Sequence, residues 1–155
     1  MSIKVAPESL PERDEWLKPM EFTLAHGLIG LPEARRMELI LNPEELPFMW
    51  LRNIDDRALN FIVIEPQGIV PGYAIELNDD DAAALEIASV DDTYVLNIVT
   101  LRPNEPGGAT VNLMGPIVIN RRTLIGRQIV IGNFADYSAR HPLLDAELAE
   151  AAHHG

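Results

Sequence analysis

Tyr94-Val95-Leu96-Asn97-Ile98-Val99-Thr100-Leu101 is the longest β-branched and apolar run in the chain, and its reading decides the fold. Consecutive apolar positions suit a strand covered on both faces, and Tyr, Val, Ile and Thr all favour the pleated conformation. The run is therefore expected to be a central strand. Downstream, residues 103–108 are punctuation, with Gly107-Gly108 able to supply positive φ for a tight hairpin. Thr110 to Met114 leads through Gly115-Pro116 into Ile117 to Asn120, and Arg127 to Ile131 closes the set. Pro116, between two strand-like runs, marks a bend, a bulge or an edge.

Upstream the pattern is again strand after strand. Met20 to His26 alternates Met20, Phe22 and Leu24 with Glu21, Thr23 and Ala25, which fits a half-buried strand. Met37 to Leu41, Phe48 to Asn53 and Asn60 to Glu65 follow, separated by the turn formers Asn42-Pro43 and Asp55-Asp56. Tyr73 to Leu77 alternates once more. One internal helix is expected: Asn78 is a good N-cap, Asp79, Asp80 and Asp81 place negative charge in the first turn, and Ala82 to Leu85 are strong helix formers. About nine short strands at close turn spacing predict an all-β, mainly antiparallel fold, a small β-barrel-like or sandwich domain.

The ends read differently. Residues 1–19, with Pro7, Pro11 and Pro19 among mixed charges, form an N-terminal arm in which Trp16 and Leu17 are able to dock on the body. Residues 20–143 are the domain. Residues 144–155 are a C-terminal tail, and Leu143, Leu144, Leu148, Ala149 and Ala152 predict a short amphipathic helix running to His154.

The chain has 155 residues, 47% of them hydrophobic, enough for one domain with a core. Twelve basic against 24 acidic residues give a net charge of −12, which repels nucleic acid phosphates and anionic membranes and attracts basic protein patches. The absence of cysteine removes disulfides, thiolate nucleophiles and cysteine-based metal sites. Glu8, Glu12, Asp14 and Glu15 are wrong for a secretory signal, and no apolar run approaches the ~20 residues of a membrane span. The cytoplasm is the expected location.

Catalytic patterns are missing. His26, His141, His153 and His154 make no helical metal pair at i+3 or i+4. Ser138 and His141 lack the strained Gly-x-Ser-x-Gly turn of a nucleophile. Asp79-Asp80-Asp81 lacks the alternate spacing, glycine and distal glutamate of a calcium loop, and Gly27 to Pro32 lacks the Lys-Ser/Thr of a phosphate loop. No enzyme, metal or cofactor is expected. There remains a patch of Ile69, Val70, Pro71 and Tyr73, rimmed by Glu65, Glu76 and Asp79 to Asp81. It reads either as a surface for a basic and apolar partner or as a loop folded back to seal one end of a barrel.

The motif order is itself informative. Pro47-Phe48-Met49-Trp50-Leu51-Arg52-Asn53-Ile54-Asp55-Asp56, then Leu59-Asn60-Phe61-Ile62-Val63 and Pro66, resembles the middle of the bacterial flagellar assembly factor FliW family. Thr110-Val111-Asn112-Leu113-Met114-Gly115-Pro116-Ile117-Val118-Ile119-Asn120 resembles that family's most distinctive block. Gly126-Arg127-Gln128-Ile129-Val130-Ile131 and Tyr137-Ser138-Ala139-Arg140-His141-Pro142-Leu143 follow at family-like spacing, and the Gly27 to Pro32 turn fits the family's early Gly-rich turn. The resemblance spans about residues 20–143. It implies a β-barrel-like fold without cofactor and two alternative protein partners. These are flagellin, bound before export, and the RNA-binding translational regulator CsrA, whose repression of flagellin mRNA is relieved.

The contact residues expected on this reading are Tyr73, Glu76, Asp79, Asp80 and Asp81, with Asn112 and Asn120 in the distinctive block. Ala74 stands where a polar or acidic residue is expected, which leaves Glu76 as the acidic contact of that strand. The two asparagines have a competing structural reading, since strand-end amides satisfy backbone groups at bends. The free chain is expected to be a monomer. The alternative from another class is a hollow barrel holding a small apolar ligand, which a solid interior of Phe22, Leu39, Phe61, Val63, Val99 and Ile129 would exclude.

Overall fold

Thr93–Leu101 is one nine-residue strand with three neighbours. The structure, a computed structural model, describes residues 2–7, 19–67, 69–102 and 108–143. Its strands in chain order are β1 (Ser2–Val5), β2 (Met20–Leu24), β3 (Arg36–Ile40), β4 (Met49–Asn53), β5 (Asn60–Ile64), β6 (Ile75–Asn78), β7 (Thr93–Leu101), β8 (Ala109–Val111), β9 (Ile117–Asn120), β10 (Ile125–Gln128) and β11 (His141–Pro142). One helix, α1 (Asp79–Ala84), follows β6 directly.

The strands β7, β5, β4, β3, β2, β10 and β9 pair in that order, and β9 returns to β7, closing a seven-stranded barrel. Every pairing is antiparallel except β10 with β2. The strand β7 forks: Thr93 to Leu96 pair with β9, Val99 to Leu101 pair with β8, and its other edge pairs with β5. Closure removes the free edges that would otherwise template association.

Two cores explain why β7 reads as a continuous apolar run. Tyr94 and Leu96 point into the barrel with Phe22, Leu24, Met37, Leu39, Met49, Leu51, Val63, Ile117 and Ile119. Val95 and Val99 point outward into a second core with Val5, Ile64, Tyr73, Ile75, Leu77, Val118, Ile129 and Leu143. The second core lies between the barrel wall and the β1–β6 ribbon, so β5, β7 and β9 are covered on both faces. The barrel interior is solid, filled by side chains no more than 5% exposed, which argues against a ligand container. Val99 and Ile129, expected inside, belong to the outer core.

Several boundaries differ from expectation. The ladder of β10 stops at Gln128 because the Ile129 and Ile131 amides donate instead to the carbonyls of Pro116 and Met114. Residues 112–114 leave the strand for a turn. Residues 2–5, read as part of an arm, form a strand on β6. The docking of Trp16 and Leu17, the Gly107 half of the hairpin turn and the C-terminal helix lie outside the described residues. At Gly27, with φ +69, an added Cβ would lie 2.5 Å from the Leu31 carbonyl, so this turn requires glycine for close backbone approach.

Candidate functional site

The acidic face of the molecule is assembled on β6, α1 and the loop after β10. Alternation along β6 sends Ile75 and Leu77 into the outer core and turns Glu76 outward. The strand then runs straight into a helix whose entry is fixed by Asn78: its Oδ1 accepts the Asp81 amide at 2.8 Å. Asp79 and Asp80 are exposed in the first turn, and Asp81 is partly covered and ion-paired with Arg127 at 3.3 Å. Three carboxylates suit the positive end of the short helix despite their mutual repulsion.

The far edge of β6 is held by a loop from β10. The Gly132 amide donates to the Glu76 carbonyl at 2.8 Å. Asn133 acts like one more strand residue: its Nδ2 donates to the Ala74 carbonyl at 2.8 Å, and its Oδ1 accepts the Glu76 amide at 2.9 Å. Phe134 comes next and is 47% exposed; Val130, on the same loop, is 55% exposed. These exposed apolar groups sit on the loop bonded to Glu76, and Asp79, Asp80 and Asp136 are exposed as well, so β6, α1 and this loop present both acidic and apolar groups to solvent.

Of the residues expected to make contacts, Glu76, Asp79, Asp80 and Asp81 fall together on this face. Tyr73 does not: it is 5% exposed, its hydroxyl donates to the Leu113 carbonyl at 2.6 Å and accepts from Asn97 at 3.2 Å, and its ring meets Tyr137 edge-on at 4.8 Å. Burial pushes its phenol well above the ordinary tyrosine range, the Asn97 hydrogen bond pulling the other way. Ile69 is buried as well, so the loop is folded back, and Tyr73 anchors the face from beneath it. The expectation of an exposed Tyr73 is corrected by this packing.

The asparagines are structural in their bonding. The Oδ1 of Asn112 accepts the Met114 and Gly115 amides, both at 3.0 Å, shaping the turn before β9. Asn120 is fully buried. Its Nδ2 donates to the carbonyls of Leu85 and Glu86, and its Oδ1 accepts the amides of Arg122 and Thr123. It offers a partner no surface; it ties the end of α1, where Glu86 is held at φ 54, to the β9–β10 turn. Arg127, Asn133, Phe134 and Tyr137 were not expected at this face. The exposed pair of apolar residues after β10 had no local signal beyond Gly132-Asn133, a turn former.

Among the described residues, no group of three or more His, Asp or Glu side chains is arranged to hold a metal ion, and no helix is long and apolar enough to cross a membrane.

Comparison with known proteins places the chain. The sequence model of the family described as FliW protein matches residues 12–143. The flagellar assembly factor FliW of Geotalea uraniireducens (strain Rf4) is 41% identical over 123 residues, covering 79% of this chain and 73% of the relative. The flagellar assembly factor FliW of Natranaerobius thermophilus is 33% identical over 129 residues, 83% of this chain and 85% of the relative. A crystal structure of the flagellar assembly factor FliW superposes with a TM-score of 0.72 at 29% identity, covering 91% of this chain and 96% of that one. The chain belongs to the FliW protein family.

Proposed function

We propose that this chain is a cytoplasmic flagellar assembly factor that works as a partner switch, binding flagellin and the regulator CsrA as alternatives and performing no catalysis. The acidic and apolar face of β6, α1 and the Phe134 loop is the observation that carries this reading. Family membership supports it, as do the names of the relatives. The free protein is a monomer on this reading, which barrel closure supports, since the seven strands of the barrel each have a neighbour on both sides.

A regulator that binds RNA with basic edges is opposed in one of two ways. The acidic protein covers those edges, or it holds the regulator elsewhere and repels incoming phosphates through its field. The second requires no mimicry of RNA shape and is the version proposed. The test is binding of CsrA and of flagellin to Asp80→Lys and Phe134→Ala chains, each with its melting temperature recorded. Weaker capture of either partner at unchanged melting temperature supports the face; unchanged affinity for both partners removes it. Titration with RNA separates the two modes, because complete displacement by excess RNA in simple competition defeats the allosteric one.

A further inference from the structure

The seam between β2 and β10 is shorter than the strands it joins. On one edge of β2 the Leu24 amide donates to the Arg35 carbonyl; on the other edge the Thr23 and Ala25 amides donate to the carbonyls of Leu124 and Gly126. Backbone groups alternate between the two edges of a strand, so the Glu21 amide and carbonyl point the same way as those of Thr23. The register with β10 begins only at Ile125, opposite Thr23. The Leu124 amide, which a continued parallel ladder would bring to the Glu21 carbonyl, donates instead to the Asn120 carbonyl at 2.8 Å, in a turn that holds Leu124 at φ 58. Among the described residues no strand pairs with Glu21 on this edge.

The side chains at this open edge define what it can receive. Phe22 and Leu24 point into the barrel, so Glu21 points out. It stands directly opposite Glu38 of β3, and like charges so placed are destabilising. Glu38 has a cation of its own, Arg52 at 2.6 Å, and Arg36 is taken by Asp55 at 2.8 Å. Glu21 has none among the described residues. Beside it a groove of about 410 Å³ runs over Thr23, Arg36, Ile54, Leu124 and Ile125, the last two being 39% and 38% exposed. Behind the edge, Met20, Tyr94, Ile119, Leu124 and Arg121 line a mainly apolar cavity of about 50 Å³. A strand added here meets a carboxylate on its outer face and apolar walls on its inner face, where Arg121 disfavours a second cation. Successive side chains of a strand point to opposite faces, so the sequence that fits alternates basic and apolar residues.

We propose that the open edge of β2 at Glu21 is a strand-addition site for an extended segment of a partner protein in which a basic residue is flanked by apolar ones. The site does not depend on the function proposed for the acidic face. The experiment titrates the full-length ¹⁵N-labelled chain with an end-blocked peptide alternating valine and lysine, and follows hydrogen exchange of the Glu21 amide. The expected result is saturable shifts at Glu21, Leu124 and Ile125, with exchange of the Glu21 amide slowed about tenfold at saturation because that amide gains an acceptor. Glu21→Gln weakens binding about threefold. It melts at or above the parent's temperature, because the repulsion from Glu38 is relieved. Ile125→Ser, at an exposed position, also weakens binding, and Asp80→Asn, on α1, leaves it unchanged. A peptide alternating valine and glutamate gives no protection. Unchanged exchange of the Glu21 amide at saturating peptide overturns strand addition, and absence of saturable shifts along the groove overturns the site. Equal weakening by Asp80→Asn and Glu21→Gln overturns it too, by reducing the binding to attraction by net charge.

Discussion

Asn133 and Glu76, 57 residues apart in sequence, are joined by a 2.9 Å hydrogen bond from the Glu76 backbone amide to the Asn133 side-chain oxygen. The Nδ2 of the same Asn133 side chain donates to the Ala74 carbonyl at 2.8 Å, so one side chain holds the two backbone groups that flank Ile75 at the start of β6. Replacing Asn133 by Ala leaves both partly covered groups without these partners and is expected to cost about 1–3 kcal/mol of stability in urea unfolding. Because the loop carries Phe134 and holds the edge of the strand that displays Glu76, Asn133→Ala should also weaken partner capture more than its stability loss alone accounts for. Undiminished capture by the folded fraction would show that the grip is structural only.

Asn120 presents a different case, a side chain with every donor and acceptor engaged and no exposure. Asn120→Ala strands the Leu85 carbonyl and the amides of Arg122 and Thr123, leaves the Glu86 carbonyl with only its bond from Arg122, and should cost about 3 kcal/mol. Hydrogen exchange locates the effect. The Ile87 amide, bonded to the Ala82 carbonyl at the end of α1, should lose protection well before the amides of β3 and β4. Uniform loss across the barrel would mean that Asn120 supports the whole fold instead of the α1 junction.

How much of this was legible before the structure depends on where the partners of each residue lie. The run from Tyr94 to Leu101 announced a strand covered on both faces, and Asn78 followed by three aspartates announced the helix start; both signals are local. The burial of Tyr73 was legible too. Alternation from Tyr73 through Ile75 to Leu77 puts all three on one face, and all three are buried, whereas Glu76 between them faces out. Reading Tyr73 as a surface residue gave its loop position more weight than its period. The grip of Asn133 on Ala74 and Glu76 had no local trace, since an asparagine after a glycine looks like any turn.

Tyr73 yields a prediction in alkaline solution. Its phenol is raised in the folded protein above the unfolded value of about 10. The stability it contributes as a neutral donor is therefore fully present below that unfolded value and is lost as pH rises from there toward the folded value. Tyr73→Phe removes the bonds to Leu113 and Asn97 and should cost about 1–3 kcal/mol at neutral pH. The gap between variant and parent should narrow in urea unfolding once the pH exceeds about 10. A gap that stays constant through that range would place the phenol at an ordinary value.

Asp92 yields the complementary prediction in acid. The Arg122 Nε donates to its Oδ1 at 3.0 Å, and the amides of Ala88 and Ser89 both donate to its Oδ2 at 3.3 Å. The bond from Arg122 is the main cause that holds this carboxyl below its usual range, with the backbone amides adding to it and desolvation opposing it. A carboxyl depressed on folding contributes stability that is present above its unfolded pKa of about 3.9 and is lost as pH falls through the folded value. Arg122→Ala should therefore be destabilised relative to the parent at neutral pH, and the difference should shrink as the solution is acidified past about pH 4. It should not vanish, because Arg122 also donates to the Glu86 carbonyl at 3.1 Å, a bond that does not titrate. Urea unfolding at a series of acid pH values checks both parts. A difference independent of pH would assign the whole effect to the Glu86 bond, and one that falls to zero would assign it to Asp92 alone.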